Sequence, residues 1–167
     1  MHAELEASFD LFAAEAVPRL RRLSYAWCRD WHRADDLVQL TLERLYAAWP
    51  RVDPRGNPDA YARTTLVRVL VSDSRRAWRR REVPVEVLPD VGGRWDDEGP
   101  RDDVLAALRV LPTRQRAVVL LRYVEDLSVA ETAAVLRCSE GTVKSQAHRG
   151  LAAMRAALTT TAQEVEL

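Results

Sequence analysis

The sequence predicts an all-α protein made of two small helical domains. Apolar residues recur at helical spacing on both sides of one interruption, residues 82–100, which contains three prolines, three glycines and an acidic cluster. This composition disfavours both a helix and a continuous strand. Because a structureless connection of this length is uncommon inside one compact domain, residues 82–100 are predicted to be a flexible linker between two units.

Length and composition exclude several classes of protein. The chain has 167 residues, 47% of them hydrophobic, and a formal net charge of +0, so a nucleic-acid role must come from local basic patches. The two cysteines can form at most one disulfide, and the N-terminus has no signal-peptide pattern. No apolar run approaches the roughly 20 residues of a membrane span. We expect a cytoplasmic protein with no membrane role.

Two helices are predicted in the N-terminal half. The first runs from Ala34 to Trp49, with apolar residues at i, i+3 and i+4 spacing, and Pro50 is expected to end it. After a loop rich in proline and glycine, the second runs from about Pro58 to Arg81. Its middle, TTLVRVLV, is rich in β-branched residues and taken alone also fits a strand. A helix is favoured because no upstream segment offers a strand partner with period 2.

The C-terminal end of this second helix concentrates positive charge. Arginines occupy five of seven consecutive positions, a density greater than solubility requires, although arginines at helix ends are often only solvated. Contacts with DNA phosphates would give them sequence-independent, salt-sensitive affinity. Trp78 could stack on an unpaired base, but its spacing fits core packing at least as well. The five are Arg75, Arg76, Arg79, Arg80 and Arg81.

The C-terminal half contains a predicted helix-turn-helix. Ser128 precedes Glu131 by the three residues of a capping box, and after the first short helix a turn of three residues leads to Ser139, the expected N-cap of a second helix. One side of this second helix is apolar and the other polar. The apolar side consists of Val143, Ala147, Leu151 and Met154. In a helix-turn-helix, the second helix offers its polar side to the major groove.

The polar side of the second helix is the candidate DNA-reading surface. A polar face is usually only solvated, but a solvated face would more often mix glutamate with lysine, and here Glu140 in the first turn is the only acidic residue. Hydrogen-bonding and basic side chains suit phosphates and base edges. They are Thr142, Lys144, Ser145, Gln146, His148 and Arg149.

At these residues the chain resembles a known family. Residues 111–155, with an LPxxQRxVxxLRY segment and a GTVKS segment, resemble region 4 of the sigma-70 family of RNA polymerase sigma factors, in particular the small extracytoplasmic-function type. Residues 34–49, with a DLVQ core, resemble region 2.2, and residues 59–84 resemble regions 2.3 and 2.4 of the sigma-E-like subfamily. The resemblance covers about residues 9–158.

The resemblance implies a domain plan. Residues 1–81 would form the region 2 helical bundle, residues 82–100 the linker, residues 101–160 the region 4 helix-turn-helix domain and residues 161–167 a tail. Such a protein would bind core RNA polymerase and direct promoter-specific initiation by recognising −10 and −35 elements and assisting promoter melting. It would not be an enzyme and would need no cofactor or metal. An anti-sigma factor, common in the family, is a candidate further partner.

The resemblance also implies contacts for individual residues. The polar side of the second C-terminal helix would bind the −35 element, and region 4 would contact the polymerase β flap. The DLVQ helix is similar to the surface that docks on the clamp helices of the β′ subunit. Its apolar residues also fit a core stripe, so the functional expectation rests on Asp36 and Gln39. The candidates for polymerase binding are Asp36, Leu37, Val38, Gln39 and Leu42.

The loop at residues 52–61 is similar to the loop that captures a flipped base of the −10 element, and the helix after it is similar to the one that lies along that element. Family members often have asparagine at the position of Val69, and an uncharged polar residue is frequent at the position of Asp73. The family's preference for a −10 sequence therefore cannot be assigned to this chain. The −10 candidates are Arg55, Gly56, Asn57, Tyr61, Arg63, Arg68, Val69, Asp73, Arg75, Arg76, Trp78, Arg79 and Arg80.

Other interpretations stay open. A response-regulator type transcription factor would share the helix-turn-helix but would need an upstream receiver of alternating strands and helices. A helical interaction protein could use the basic face for an acidic partner. Cys28 and His32 are four residues apart, but two ligands do not make a zinc site, and core packing is the preferred interpretation.

Overall fold

The computed structural model describes residues 2–52, 56–80 and 101–165, except for the side chains of Trp78 and Val165. Every regular element in these residues is a helix, which confirms the predicted all-α class. The predicted linker at residues 82–100, together with Arg55 and Arg81, lies outside the described residues. None of the helices in the described ranges is long and apolar enough to cross a membrane. The chain divides into two compact units, residues 1–92 and 93–167.

The N-terminal unit is a bundle of three helices that all contact one another: α1 (His2–Cys28), α2 (Trp31–Val52) and α3 (Pro58–Arg80). Its core is built from large side chains with almost no exposed surface. They are Leu20, Trp27, Leu45, Trp49, Leu66, Val67, Val69 and Leu70. Burial of this apolar area is the main stabilising contribution to the bundle.

Helix α1 is not predicted from the sequence, because Pro18 interrupts its apolar pattern and the apolar Leu11 is 73% exposed instead of buried. Tertiary contacts hold this helix in place. The ring of Phe9 lies edge-on to that of Trp49, with 5.3 Å between the centroids, and Trp49 Nε1 donates a hydrogen bond of 2.9 Å to Ser8 Oγ. Edge-to-face aromatic pairs add to the free energy of area burial.

The prediction that Pro50 ends α2 is wrong, because α2 extends to Val52. Pro50 lies in the last turn, where its missing N–H removes a single hydrogen bond, and its neighbours Trp49 and Val52 are buried against the bundle. The helix also starts earlier than predicted, at Trp31, because Asp30 Oδ1 accepts a hydrogen bond of 3.2 Å from the Arg33 N–H as an N-cap does.

The prediction of a helix at α3 is confirmed, including its β-branched middle. The side chains of Val67 and Val69 are 1% exposed, so burial decides the conformation where local propensity was divided. At the start of the helix, Asn57 Oδ1 accepts a hydrogen bond of 3.1 Å from the Ala60 N–H. Asn57 is therefore an N-cap, with Pro58 at the first helical position, where proline is favoured.

The C-terminal unit packs the long α7 (Glu140–Val165) against three shorter helices: α4 (Asp102–Arg109), α5 (Thr113–Val119) and α6 (Val129–Leu136). One π-helical turn, Leu120–Val124, continues α5. The unit buries large side chains on α4, on α5 and its π-helical turn, and on α7. Among them are Leu105, Leu108, Val118, Leu120, Leu121 and Val143.

The predicted helix-turn-helix is confirmed in its local details. Ser128 Oγ accepts a hydrogen bond from the Glu131 N–H at 3.0 Å, and Glu131 Oε2 accepts one from the Ser128 N–H at 2.7 Å, which completes the capping box. Ser139 Oγ accepts a hydrogen bond of 3.1 Å from the Thr142 N–H and so caps α7. The turn between α6 and α7 consists of residues 137–139, as predicted.

Candidate nucleic-acid interface

The side of α7 that carries the candidate DNA-reading residues faces away from the core. Val143 is fully buried and packs with Val118, Ala133 and Ala147. At 100° per residue, the six candidates occupy the other directions around the helix. Lys144, Ser145, His148 and Arg149 are exposed, and Thr142 and Gln146 are half-buried at the edge of the face.

Two of these six side chains already have local hydrogen-bond partners. Thr142 Oγ1 lies 2.9 Å from Ser139 Oγ, and Ser145 Oγ donates a hydrogen bond of 3.3 Å to the Thr142 carbonyl. The other four form no hydrogen bond or ion pair with any residue in the described parts of the chain. These four, Lys144, Gln146, His148 and Arg149, keep their donors available for a ligand.

Gly150 allows α7 to lie close to α5. A Cβ atom added at Gly150 would lie 2.7 Å from Val119 Cγ2, closer than side chains approach each other. The role of this glycine cannot be predicted from the sequence, because a single glycine in a helix has no local signature of close packing. This contact fixes the distance between α7 and α5. It therefore helps to hold the candidate face, which α7 carries, in place.

Two arginines of the LPxxQRxVxxLRY segment hold turns in the C-terminal unit. The Arg116 guanidinium donates hydrogen bonds to the carbonyls of Arg109, at 2.6 Å, and Leu111, at 3.1 Å, which stabilises the turn between α4 and α5. The Arg122 guanidinium donates to the Leu127 carbonyl just before α6. Both side chains are half-buried. Their observed contacts are structural.

On the N-terminal unit, α3 presents a row of exposed side chains. Tyr61, Arg68, Arg75 and Arg79 are separated by seven, seven and four residues, which places them within about 40° on one face of the helix. Tyr61 is 43% exposed. Two further predicted arginines, Arg76 and Arg80, are exposed beside this row, and Arg63 is half-buried near its start. The row combines an aromatic ring with closely spaced positive charges.

The structure places two of the other −10 candidates differently. Val69 is 1% exposed in the core, so its side chain is not on the predicted DNA surface. Asp73 is on the surface but forms an ion pair with Arg33 of α2, at 2.7 Å. The neighbouring Ser74 Oγ accepts a hydrogen bond of 2.9 Å from Trp27 Nε1 of α1. These two contacts attach α3 to α2 and α1 immediately before its arginine-rich end.

The remaining −10 candidates lie at the start of α3. Gly56 is exposed and has a φ of 71°, in the left-handed region that glycine adopts without strain. The carbonyl oxygen of the Asn57 side chain caps the helix, which leaves the amide group as its free donor. Neither Arg55 nor the side chain of Trp78 is among the described parts of the chain.

The candidate polymerase-binding residues on α2 divide by burial. Leu37 and Val38 are 5% exposed and pack in the core, so their side chains do not form a surface. Asp36 and Gln39 are exposed and Leu42 is half-buried. The exposed side of α2 at this position is therefore polar.

Cys28 and His32 do not share a helix face, because α1 ends at Cys28 and α2 begins at Trp31. Burial raises the pKa of the Cys28 thiol to about 11, so it stays protonated at neutral pH and is a poor metal ligand. The described residues contain no group of three or more histidine, cysteine or acidic side chains placed to hold a metal ion.

Comparison with known families gives two matches, one in each unit. Residues 12–80 match the family described as Sigma-70 region 2, and residues 101–154 match Sigma-70, region 4. The matched ranges contain all the candidate residues on α2, α3 and α7.

Several named proteins are similar along most of the chain. RNA polymerase sigma-E factor of Streptomyces antibioticus is 42% identical over 132 residues, which cover 76% of this chain and 71% of that protein. ECF RNA polymerase sigma factor SigD of Mycobacterium tuberculosis is 35% identical over 129 residues, which cover 71% of this chain and 59% of that protein.

Two solved structures share the fold. The sigma factor RpoE of Bartonella quintana, in complex with the anti-sigma factor NepR, matches with a TM-score of 0.71 and 25% identity over 91% of this chain and 97% of that chain. CnrH, in complex with the cytosolic domain of CnrY, matches with a TM-score of 0.65 and 20% identity over 93% of this chain and 90% of that chain.

Proposed function

Since the chain belongs to the sigma-70 family, as an RNA polymerase sigma factor of the extracytoplasmic-function type that directs transcription, we propose that its two units divide promoter recognition between them. The C-terminal unit reads the −35 element with α7. The N-terminal unit binds core polymerase through α2 and the −10 element through α3. The chain acts in the cytoplasm, and the polymerase supplies all the catalysis.

The observation that carries this proposal is the arrangement of α7. Four side chains without internal partners, Lys144, Gln146, His148 and Arg149, project from a helix whose opposite side is fixed by the buried Val143. Glutamine can bind adenine and arginine can bind guanine through two hydrogen bonds each, and lysine is suited to a phosphate. A rigid helix that presents these groups has the geometry for major-groove reading.

The α3 row suits the −10 element for a different reason. Arg68, Arg75 and Arg79 lie along one face of α3, so they can follow a phosphate backbone, and Tyr61 on the same face offers a ring on which an unpaired base can stack. Affinity for phosphates together with stacking would favour a melted strand over a closed duplex. This supports a role for the N-terminal unit in promoter melting.

The α2 surface that we assign to the polymerase is small and polar. Asp36 and Gln39 are exposed, whereas the adjacent Asp35 is paired with Arg21 of α1. Charge reversal at a free interface carboxylate is repulsive and costs the fold little. The Asp36→Arg, Gln39→Ala double variant should therefore weaken core binding while keeping the helical circular dichroism of the parent. Glu43→Arg, which reverses an exposed charge about two turns beyond Asp36 on α2, is the matched control.

Transcription in vitro tests the whole proposal. Core polymerase with the purified chain should initiate at specific promoters, and core polymerase alone should not. A response-regulator type factor would instead bind DNA without converting core enzyme to a promoter-specific form. If core polymerase and this chain give no specific transcript on any fragment of a genomic promoter library, the sigma role of this chain is refuted.

We also propose that an anti-sigma protein controls the chain. One similar structure holds the sigma factor RpoE with the anti-sigma factor NepR, and CnrH, which shares the fold, is bound to the cytosolic domain of CnrY. A protein that covers the α2 surface would compete with core polymerase. If the Asp36→Arg, Gln39→Ala variant loses affinity for both partners, they share this surface. If it loses affinity for core polymerase alone, the two binding surfaces are separate.

A further inference from the structure

The turn between α6 and α7 contains a residue in an unfavourable backbone conformation. Arg137 follows the last residue of α6 with φ 53° and ψ 50°, in the left-handed region, and its N–H donates to the Ala133 carbonyl. Glycine adopts this conformation at helix ends without a steric penalty, whereas a residue with a Cβ does not. The backbone geometry of this turn therefore favours glycine over arginine.

The side chain of Arg137 gains nothing visible from the rest of the protein. It is exposed, and within the described ranges it forms no hydrogen bond, ion pair or ring contact. No side-chain contact in the described ranges therefore offsets the strained backbone of Arg137. The end of α6 explains the left-handed backbone but not the choice of arginine for it, which is a reason to look for a functional contact of the side chain.

The charge of the surrounding sequence indicates what that contact is. Between Arg122 and Lys144, Arg137 is the only positively charged residue. Four carboxylates share the stretch: Glu125, Asp126, Glu131 and Glu140. In a helix-turn-helix the first helix crosses the DNA backbone while the second enters the groove. Without Arg137, every charged side chain in this part of the motif would be acidic and would repel the phosphates.

We propose that Arg137 is a DNA-backbone contact that positions the helix-turn-helix on the promoter, beside the base-reading face of α7. The inference rests on the proposed function of α7. Arg137 lies three residues before the start of α7, so its Cα is at most about 11 Å from that of Glu140. Its guanidinium binds a phosphate oxygen next to the groove that α7 enters and offsets the repulsion from the four carboxylates.

A single substitution separates this role from a structural one, because it should weaken DNA binding without lowering the stability of the protein. Arg137→Gly relieves the strained backbone, so the thermal midpoint should stay the same or rise. Loss of one phosphate contact should make the slope of log K against log salt shallower by about 0.9 and weaken binding about fourfold at 0.2 M salt. The probe is the duplex pool that the full-length parent chain enriches from random-sequence DNA.

Two other substitutions at the same position keep the test decisive. Arg137→Lys retains the positive charge and should retain the salt slope of the parent. Arg137→Asn also removes the charge, and asparagine tolerates the left-handed region. It should therefore lose as much affinity as Arg137→Gly, which would show that the loss does not come from a change in the turn.

Arg29 provides a matched control in the N-terminal unit. It follows α1 with φ 54°, and its N–H donates to the Tyr25 carbonyl at 2.7 Å. Arg29→Gly removes the same charge at the same positive φ from the unit that does not contain the helix-turn-helix. It should leave DNA affinity and the salt slope unchanged.

The outcomes distinguish this inference from the proposed function. If Arg137→Gly and Arg137→Asn bind like the parent while Lys144→Ala and Arg149→Ala lose affinity, Arg137 does not contact DNA and α7 keeps its role. If none of these variants changes binding, the assignment of α7 fails and this inference fails with it. An equal loss in Arg29→Gly would mean that total charge is responsible, which also overturns the proposed contact.

Discussion

The proposed DNA-binding helices α3 and α7 differ in the density of their charge and in how their positions are fixed. Arginine occupies four of the last six positions of α3, whereas the candidate face of α7 mixes one lysine and one arginine with neutral donors. Helix α3 is attached near its basic end by the Arg33–Asp73 ion pair and the Trp27–Ser74 hydrogen bond. Helix α7 is held by the buried Val143 and by close contact at Gly150.

This difference suits two kinds of recognition. Dense positive charge binds phosphates of any sequence, tolerates small displacements and is sensitive to salt. Bidentate contacts with base edges require the reading side chains to be positioned to within a fraction of an ångström. This requires a helix with a tightly packed support. We therefore expect changes beneath α7 to affect sequence reading and changes at the end of α3 to affect overall affinity.

The largest expected effect comes from disrupting the support of α7. Val143→Asp places a carboxylate in the cluster formed with Val118, Ala133 and Ala147, and should lower the free energy of unfolding of the C-terminal unit by about 4 kcal/mol or more. Thermal circular dichroism measures the change. Lys144→Asp, at the exposed neighbouring position, should melt close to the parent. Equal melting of the two variants would mean that the buried and exposed sides of α7 are assigned the wrong way round.

Sequence reading itself should respond to changes on the opposite side of α7. Gln146→Ala or Arg149→Ala should cost about 1 to 3 kcal/mol at one base position and relax discrimination there. Lys144→Ala should weaken binding to all sequences alike and make the salt slope shallower by about one unit, because it removes a phosphate contact. Binding to a library of −35 sequences separates the two patterns. Folded Gln146 and Arg149 variants with the parent's preferences would exclude α7 as the reading helix.

The close approach of α7 to α5 can be tested without changing any DNA-facing side chain. Gly150→Ala adds a Cβ 2.7 Å from Val119 Cγ2 and should destabilise the C-terminal unit by about 2 kcal/mol in a denaturant titration. Gly141→Ala, where the nearest atom is Ser139 Oγ at 3.9 Å, should instead stabilise it by about 0.5 to 1 kcal/mol. If Gly150→Ala is as stable as Gly141→Ala, the helices are not in close contact there.

The basic end of α3 should show a smaller effect that is the same for every sequence. Removing two phosphate contacts with Arg75→Ala and Arg79→Ala should make the salt slope of DNA binding shallower by about 1.4 to 1.8. The same change should cost about 1.5 kcal/mol at 0.2 M salt. Sequence preference should not change. An Arg44→Ala, Arg51→Ala variant removes two exposed charges from α2 and should keep the parent slope. A sequence-dependent loss in the α3 variant would contradict the proposed division between the two helices.

Local signals in the sequence were sufficient for much of the structure and the candidate site. The Ser128–Glu131 capping box and the Ser139 N-cap are contacts between residues three apart, so their spacing alone predicts the helix-turn-helix. The apolar period of α7 likewise predicts which side of that helix is buried, and therefore which side chains stay available. The motif residues also carried the correct family resemblance.

Contacts between residues far apart in the sequence decided the rest. The close approach of α5 at Gly150, where an added Cβ would lie 2.7 Å from Val119 Cγ2, is not encoded in neighbouring residues. The ion pair of Asp73 with Arg33 is not encoded there either, because both contacts depend on which helices meet. Burial of Val69 in the bundle, and the continuation of α2 past Pro50, depend on packing in the same way. The sequence by itself determined the helices with strong local signals and the chemistry they present. Only the tertiary structure decided which side chains are buried, paired or free, because that depends on packing between distant segments.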